Sequence, residues 1–244
     1  MCAGSTGTSP GDVLRALYYA ISLYGFIVSF FIYPKISDAQ VILSEIMFDP
    51  DTLENHNEFV EIFNSGNSVA NLRGWQIGDD NELDYIQDTG SGLMLAPGQY
   101  GVILDASYFA NSTSYDNLLP PEALIMTIDD GSFGSYGWSN TLTETVFLTD
   151  SAGNSIQVYQ YSLGNTPGFS DEKVIMIPDN SEMNWKNSLK FRGTPGFENS
   201  VRKKETDIGV DSLWIIPSYP VSGIEFDLKI QVRNLGILPV ESFK

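Results

Sequence analysis

Cysteine and histidine are nearly absent from this 244-residue chain, which holds one of each. Cys2 lies ahead of a long apolar segment, so the rest of the chain has no thiol. Disulfides, zinc–thiolate sites and cysteine nucleophiles are thereby excluded for it. The one histidine, His56 in the polar stretch ENHNE, cannot build a two-histidine metal site and reads as a solvated loop residue. Serine–histidine–aspartate catalysis would need a serine elbow beside it, and no G-x-S-x-G occurs from residue 40 onward. A phosphate-cradling G-x-x-x-x-G-K-[ST] is missing too. Positive charge is also scarce, with 13 Lys and Arg against 31 Asp and Glu, a formal charge of -18 and a pI near 4.1. Such a field repels phosphate backbones and anionic bilayers, which argues against direct nucleic-acid binding. Between Ser37 and Glu172 the only Lys or Arg is Arg73, while positives collect later in Lys186, Lys190, Arg192 and Arg202 to Lys204.

What is present begins with apolar residues, 42% of the chain and enough for real cores. After Arg15 the sequence reads ALYYAISLYGFIVSFFIY and then PKISDAQ, a charge-free stretch closed by a small-x-small end at Ser37, Asp38 and Ala39. We expect residues 1–39 to be a secretory signal, with an uncleaved membrane anchor as the rival reading. Either way the remainder is exported, to the medium or the cell surface. The anchor reading would give its only membrane contact.

From residue 40 to about 200 the dominant period is two, and no long helical spacing occurs, so this part is expected to be all-β. VILSEIMF (41–48) reads as a strand ended by Asp49-Pro50, where proline removes a ladder donor. In EFVEIFN (58–64), Val60 and Ile62 alternate with Glu61 and Phe63, so one face is expected to be core. GWQIGD is a third strand, LMLAPGQYGVIL (93–104) two more about a Pro-Gly turn, and TETVFLTDSAGNSIQVYQYS (143–162) a hairpin about Asp150 to Asn154. From Asp105 to Trp138 runs a long irregular connection with room for a short helix.

In order, LSEIMFDP, NEFVEIFNSGNSVANLRGWQIGD, LAPGQYGVIL, SNTLTETVFLTDSAGNSIQVYQYS and NWKNSLKFRGTPGFENS resemble the lamin-tail domain over about Val41 to Ser200. The resemblance implies an immunoglobulin-like β-sandwich with Trp75 as a packed anchor after a tight turn at Gly74, and an interaction module without catalytic residues. Beyond a linker at 201–206, residues 207–244 look like the opening of an adhesion-related bacterial sandwich of the CARDB type. There Phe226, Leu228, Ile230 and Val232 alternate with Asp227, Lys229, Gln231 and Arg233. Only its first strands are present, so this second sandwich is expected to be incomplete. The domain reading is thus 1–39 signal or anchor, 40–200 sandwich, 201–206 linker and 207–244 partial sandwich.

The sharpest chemical candidate is the run after Gly74-Trp75, where Asp79, Asp80, Glu82 and Asp84 crowd one loop as candidate calcium ligands. Asp80, Glu82 and Asp84 have the spacing of an EF-hand start, but Tyr85 stands where a glycine is required and Ser91 where a bidentate glutamate is needed. A solvated acidic loop is the plainer reading, and no cofactor other than calcium is implied. Glu45 and Glu61 are the carboxylate pair one would test for glycoside hydrolysis, yet they read better as glutamates on a wet strand face beside Arg73. Tyr100, Tyr115, Phe133, Tyr136 and Trp138 offer a sugar platform or ordinary packing. The expected function is a non-enzymatic exported module for surface adhesion or anchoring, its partner a protein or surface polysaccharide. The alternative is the accessory front of a longer surface hydrolase, a nuclease or phosphoesterase.

Overall fold

The computed structural model describes residues 39–242 except Leu53; the segment read as signal or anchor lies outside the described residues. No helix among the described residues is long and apolar enough to cross a membrane. Twelve of the strands are β1 (Val41–Met47), β2 (Phe59–Asn64), β3 (Ala70–Asn71), β4 (Gln76–Gly78), β5 (Leu83–Asp88), β6 (Met94–Leu95), β7 (Tyr100–Leu104), β8 (Leu124–Ile128), β9 (Thr145–Thr149), β10 (Ser155–Gln160), β11 (Asp171–Lys173) and β12 (Trp185–Asn187). Ten of them form one continuous ladder, β10-β9-β4-β5-β8-β7-β2-β1-β11-β12, while β3 and β6 pair separately.

The ladder becomes a sandwich at β5. Its first half pairs with β4 (Gln76 with Tyr85) and its second half with β8 (Ile86 with Ile128), so β5 is the corner where the chain changes layers. Between the layers Ile77, Val146 and Leu148 meet Leu43, Val60, Ile62, Ile103 and Met126 in the main core. The immunoglobulin-like all-β reading therefore holds, and the hairpin expected at 143–162 is β9–β10, its turn capped by Asp150 accepting from the Ala152 and Asn154 amides at 2.9 Å.

The expected core face of β2 is present, with Val60 and Ile62 in the main core, but its other face is buried as well: all six of its residues are buried. The sheet's outer face is covered as well. The connection after Asp105 holds the expected short helix, α2 (Tyr108–Asn111; α1 being Glu54–Asn57), and it also supplies β8, which sequence reading missed and which runs parallel to β7. Returning from β7 to a parallel neighbour requires a crossover. That crossover lays Tyr108, Tyr115 and Leu119 over Met47, Phe59, Val102 and Leu104 as a second core. Farther along the same face, residues 188–201 form the rest of the cover.

Trp75 follows a turn with Gly74 at φ +76° and the Trp75 amide on the Leu72 carbonyl at 3.0 Å. Its indole is half-buried at the margin of the main core rather than inside it. The remaining strands, β13 (Ile208–Ile216) and β14 (Asp227–Asn234), make a two-stranded sheet. A bulge at Asp211 puts Val210, Leu213 and Ile215 on one face with Val232, Ile230 and Leu228, and most of these side chains are exposed.

Candidate functional site

On the outer face of the sheet three strands bring glutamates side by side. Glu61 of β2 pairs with Glu45 of β1, which pairs with Glu172 of β11, and each is 0% exposed. A register shift between Leu43 and Glu45 turns Ser44 to this face too, where its hydroxyl donates to Glu61 at 2.5 Å. The wet face beside Arg73 is therefore a correction: among the described residues no cation meets these carboxylates, and they are roofed by the chain from Ser188 to Val201.

That roof is a strap of hydroxyls and amides. Glu45 accepts from the Ser170 hydroxyl at 2.5 Å and from the Thr194 amide at 2.9 Å. Glu61 accepts from the Gly196 amide at 2.6 Å. Glu172 accepts from the Ser200 hydroxyl at 2.7 Å and the Val201 amide at 3.1 Å. Gly193 makes the approach possible. Its φ is +71°, and a Cβ there would lie 1.9 Å from Glu45 Oε1. Burial first, and then the Glu172 charge, push Glu45 up to about 8. Burial and the Glu45 charge raise Glu61 well above the usual carboxylate range. A glycosidase pair needs a cleft that admits a sugar and a water. Glu45 and Glu61 have neither.

Other buried acids do the same work. Glu58 accepts from the Trp138 amide at 3.0 Å, and Asp171 takes the hydroxyls of Tyr159 and Ser162 at 2.9 and 3.0 Å and Asn165 at 3.1 Å. Lys173, the one fully buried cation among the described residues, gives its ammonium to the Ile177 and Asp179 carbonyls at 3.1 and 3.0 Å and to the Asn180 side chain, lying 4.9 Å over the Trp185 ring. Burial lowers it to about 8.

His56 is not in a solvated loop. It lies half-buried on α1 with Nδ1 2.6 Å from Ser107 Oγ, and that hydroxyl donates to Asp105 at 2.5 Å. The order is histidine–serine–aspartate, so the serine proton is committed to Asp105 and the imidazole is not placed to take it, unlike a triad.

The four acids singled out in sequence separate. Asp79 turns inward, spending Oδ1 on the Asn81 and Glu82 amides at 2.8 and 3.0 Å and Oδ2 on the Asn81 side chain at 2.9 Å. Asp80 is exposed. Glu82 and Asp84 meet Asp130, one carboxylate oxygen of each lying within 4.8 Å of the others, a grouping the sequence did not suggest. Asp84 is buried, accepts from the Gly134 amide at 2.8 Å, and is pushed up to about 7 by burial. Three oxygens are half of what calcium needs, so the group would have to add carbonyls or water. The aromatic platform is absent: Tyr115, Phe133 and Trp138 are buried, Tyr100 packs on Phe63 at 4.7 Å, and only Tyr136 stands out.

A family model described as Lamin Tail Domain matches residues 34–162, more than half of the chain. No curated protein matches it. The match carries Glu45, Glu58 and Glu61 and ends before Glu172 and the strap.

Proposed function

Because the chain belongs to the Lamin Tail Domain family of non-catalytic immunoglobulin-like interaction modules, we propose that it acts after export as an adhesion or anchoring module at the cell surface. The observation that carries this reading is the consumption of its chemistry by its architecture. The glutamates on β1, β2 and β11 are sealed under the strap, and the serine beside His56 donates its hydroxyl hydrogen bond to Asp105. What faces outward is a surface for contact. The acidic end around Asp80, Glu82, Asp129 and Asp130 and the apolar face of β13–β14 support a protein or surface polysaccharide as partner, and the charge of -18 argues against nucleic acid.

The test is retention. Tagged full-length chain produced in an exporting host is expected in the envelope fraction, and in purified form to bind protein or polysaccharide fractions of that envelope. Hydrolysis of phosphodiester or glycosidic substrates by the purified chain would reject the reading, as would its accumulation inside the cell.

A further inference from the structure

The strap poses a problem of proton supply. Thr194 Oγ1 lies 3.1 Å from Glu45 Oε2 and 2.9 Å from Glu172 Oε1. A threonine hydroxyl has a single proton to give. Were both carboxylates ionised, one of these contacts would set lone pair against lone pair between two carboxylates that are 0% exposed. A proton on Glu45 Oε2 resolves this as a chain in which Glu45 donates to Thr194 and Thr194 donates to Glu172. The neighbouring hydroxyls cannot help, because Ser170, Ser44 and Ser200 have each spent their proton on a glutamate.

We propose that the three glutamates and Thr194 form a proton-held latch: neutral Glu45 locks the strap from Gly193 to Val201 onto the sheet at neutral pH, and loss of that proton frees it.

Among the described residues the surroundings contain no substitute for the proton. Arg192, from the strap, is held by Asp51 at 3.1 Å, and Arg202 is held by Glu198 at 3.4 Å. Lys186 stands across from Glu172 on β12 with its side chain in solvent. Further titratable neighbours are Glu61 on β2, itself raised by burial, Tyr115 from the crossover and Tyr100 from β7; burial raises both tyrosines, so they remain neutral. Deprotonation sends the proton to solvent base and leaves a second charge beside Glu172, with Thr194 able to satisfy only one of them. Opening the strap lets water reach both. The sign follows from the raised Glu45 value of about 8 against the ordinary 4.5. The latch is fully closed below the ordinary value, weakens as pH rises between the two, and has lost the proton's contribution above about 8.

Hydrogen exchange of the full chain, corrected for intrinsic rates, tests this at about pH 5.5 and about pH 8.5. Peptides from the strap are expected to lose at least about tenfold in protection relative to β4 and β9, since each pH unit crossed by one proton is worth about tenfold. In Glu45→Gln, whose amide imitates the protonated acid, the relative loss should fall below about twofold. A second measurement separates Glu45 from the other raised acids, Glu61 and Asp84: infrared spectra of the wild-type chain should show a protonated carboxyl stretch at neutral pH that weakens at high pH, and that pH-dependent component should be reduced in Glu45→Gln. Absence of that band, equal loss over strap and sheet, or an unchanged loss in Glu45→Gln would each overturn the latch.

Discussion

Two groups of acids divide this molecule. The loop after β4 gathers Asp79, Asp80, Glu82 and Asp84 within six positions, and these are the residues a reader of the sequence notices. Glu45, Glu61 and Glu172 are scattered over 128 residues and look like ordinary strand glutamates. In the fold, Asp80 and Glu82 are exposed, and the scattered three are sealed in a layer without a cation. A carboxylate's role is set by what returns to cover it. Under a cover it must be satisfied completely, because an unmet buried acceptor or donor costs about 1–3 kcal/mol, whereas in solvent water does the same for nothing.

If this contrast is right, the largest effect comes from pushing the cover off. Gly193→Val places methyls where Glu45 Oε1 lies 1.9 Å from a Cβ, on a backbone at φ +71°. We expect about 3–5 kcal/mol of destabilisation, or no folded protein, by denaturant melts. A loss below about 1 kcal/mol would mean the strap is not tightly seated. Next comes removal of an acceptor beneath it. Glu61→Ala strips the partner from the Ser44 hydroxyl and the Gly196 amide, both buried. That should cost about 2–4 kcal/mol, while Glu61→Gln, which keeps an acceptor, should recover most of it. Equal losses in the two variants would show that charge, rather than hydrogen bonding, matters at this position.

A smaller effect separates the members of the acidic loop itself. Asp84 is buried and holds the Gly134 amide at 2.8 Å, so Asp84→Ala should cost about 1–2 kcal/mol. Asp80 is exposed, and Asp80→Ala should stay within about 0.5 kcal/mol. Melts that rank the two the other way would place the working acid of this loop in solvent.

Much of the fold was legible because strand period and turn chemistry are local. The β9–β10 hairpin is an instance, with Asp150 binding its own turn. The covered face was not, because its cover arrives from Tyr108 to Leu119 and from Ser188 to Val201, far along the chain from β1 and β2. Alternation tells which residues share a face and is silent on whether that face meets water. A signal was nonetheless available: Phe59 and Phe63 share parity with Glu61 on β2, so the strand is apolar on both sides, which suits a sheet covered on both. Scarcity of bases was a second signal. With 13 Lys and Arg in the chain, buried acids must find hydroxyls and amides instead, and the ion pairs seen, Arg192–Asp51, Arg202–Glu198 and Arg233–Asp211, involve none of the sealed glutamates.

The smallest expected effect concerns calcium, and it follows from the same bookkeeping. Asp79 has both oxygens engaged in its own turn, Glu82 accepts from the Ser135 hydroxyl at 3.2 Å, and Asp84 is tied to Gly134. An ion would find one oxygen each from Glu82, Asp84 and Asp130 where it wants six to eight. Millimolar calcium should therefore raise stability by less than about 0.5 kcal/mol, as expected when ligand concentration does not exceed the dissociation constant. Titration calorimetry should show no saturable heat below millimolar concentration. A tight signal that disappears in Asp130→Asn would reverse the contrast, making the exposed acids the functional ones and the sealed acids their scaffold.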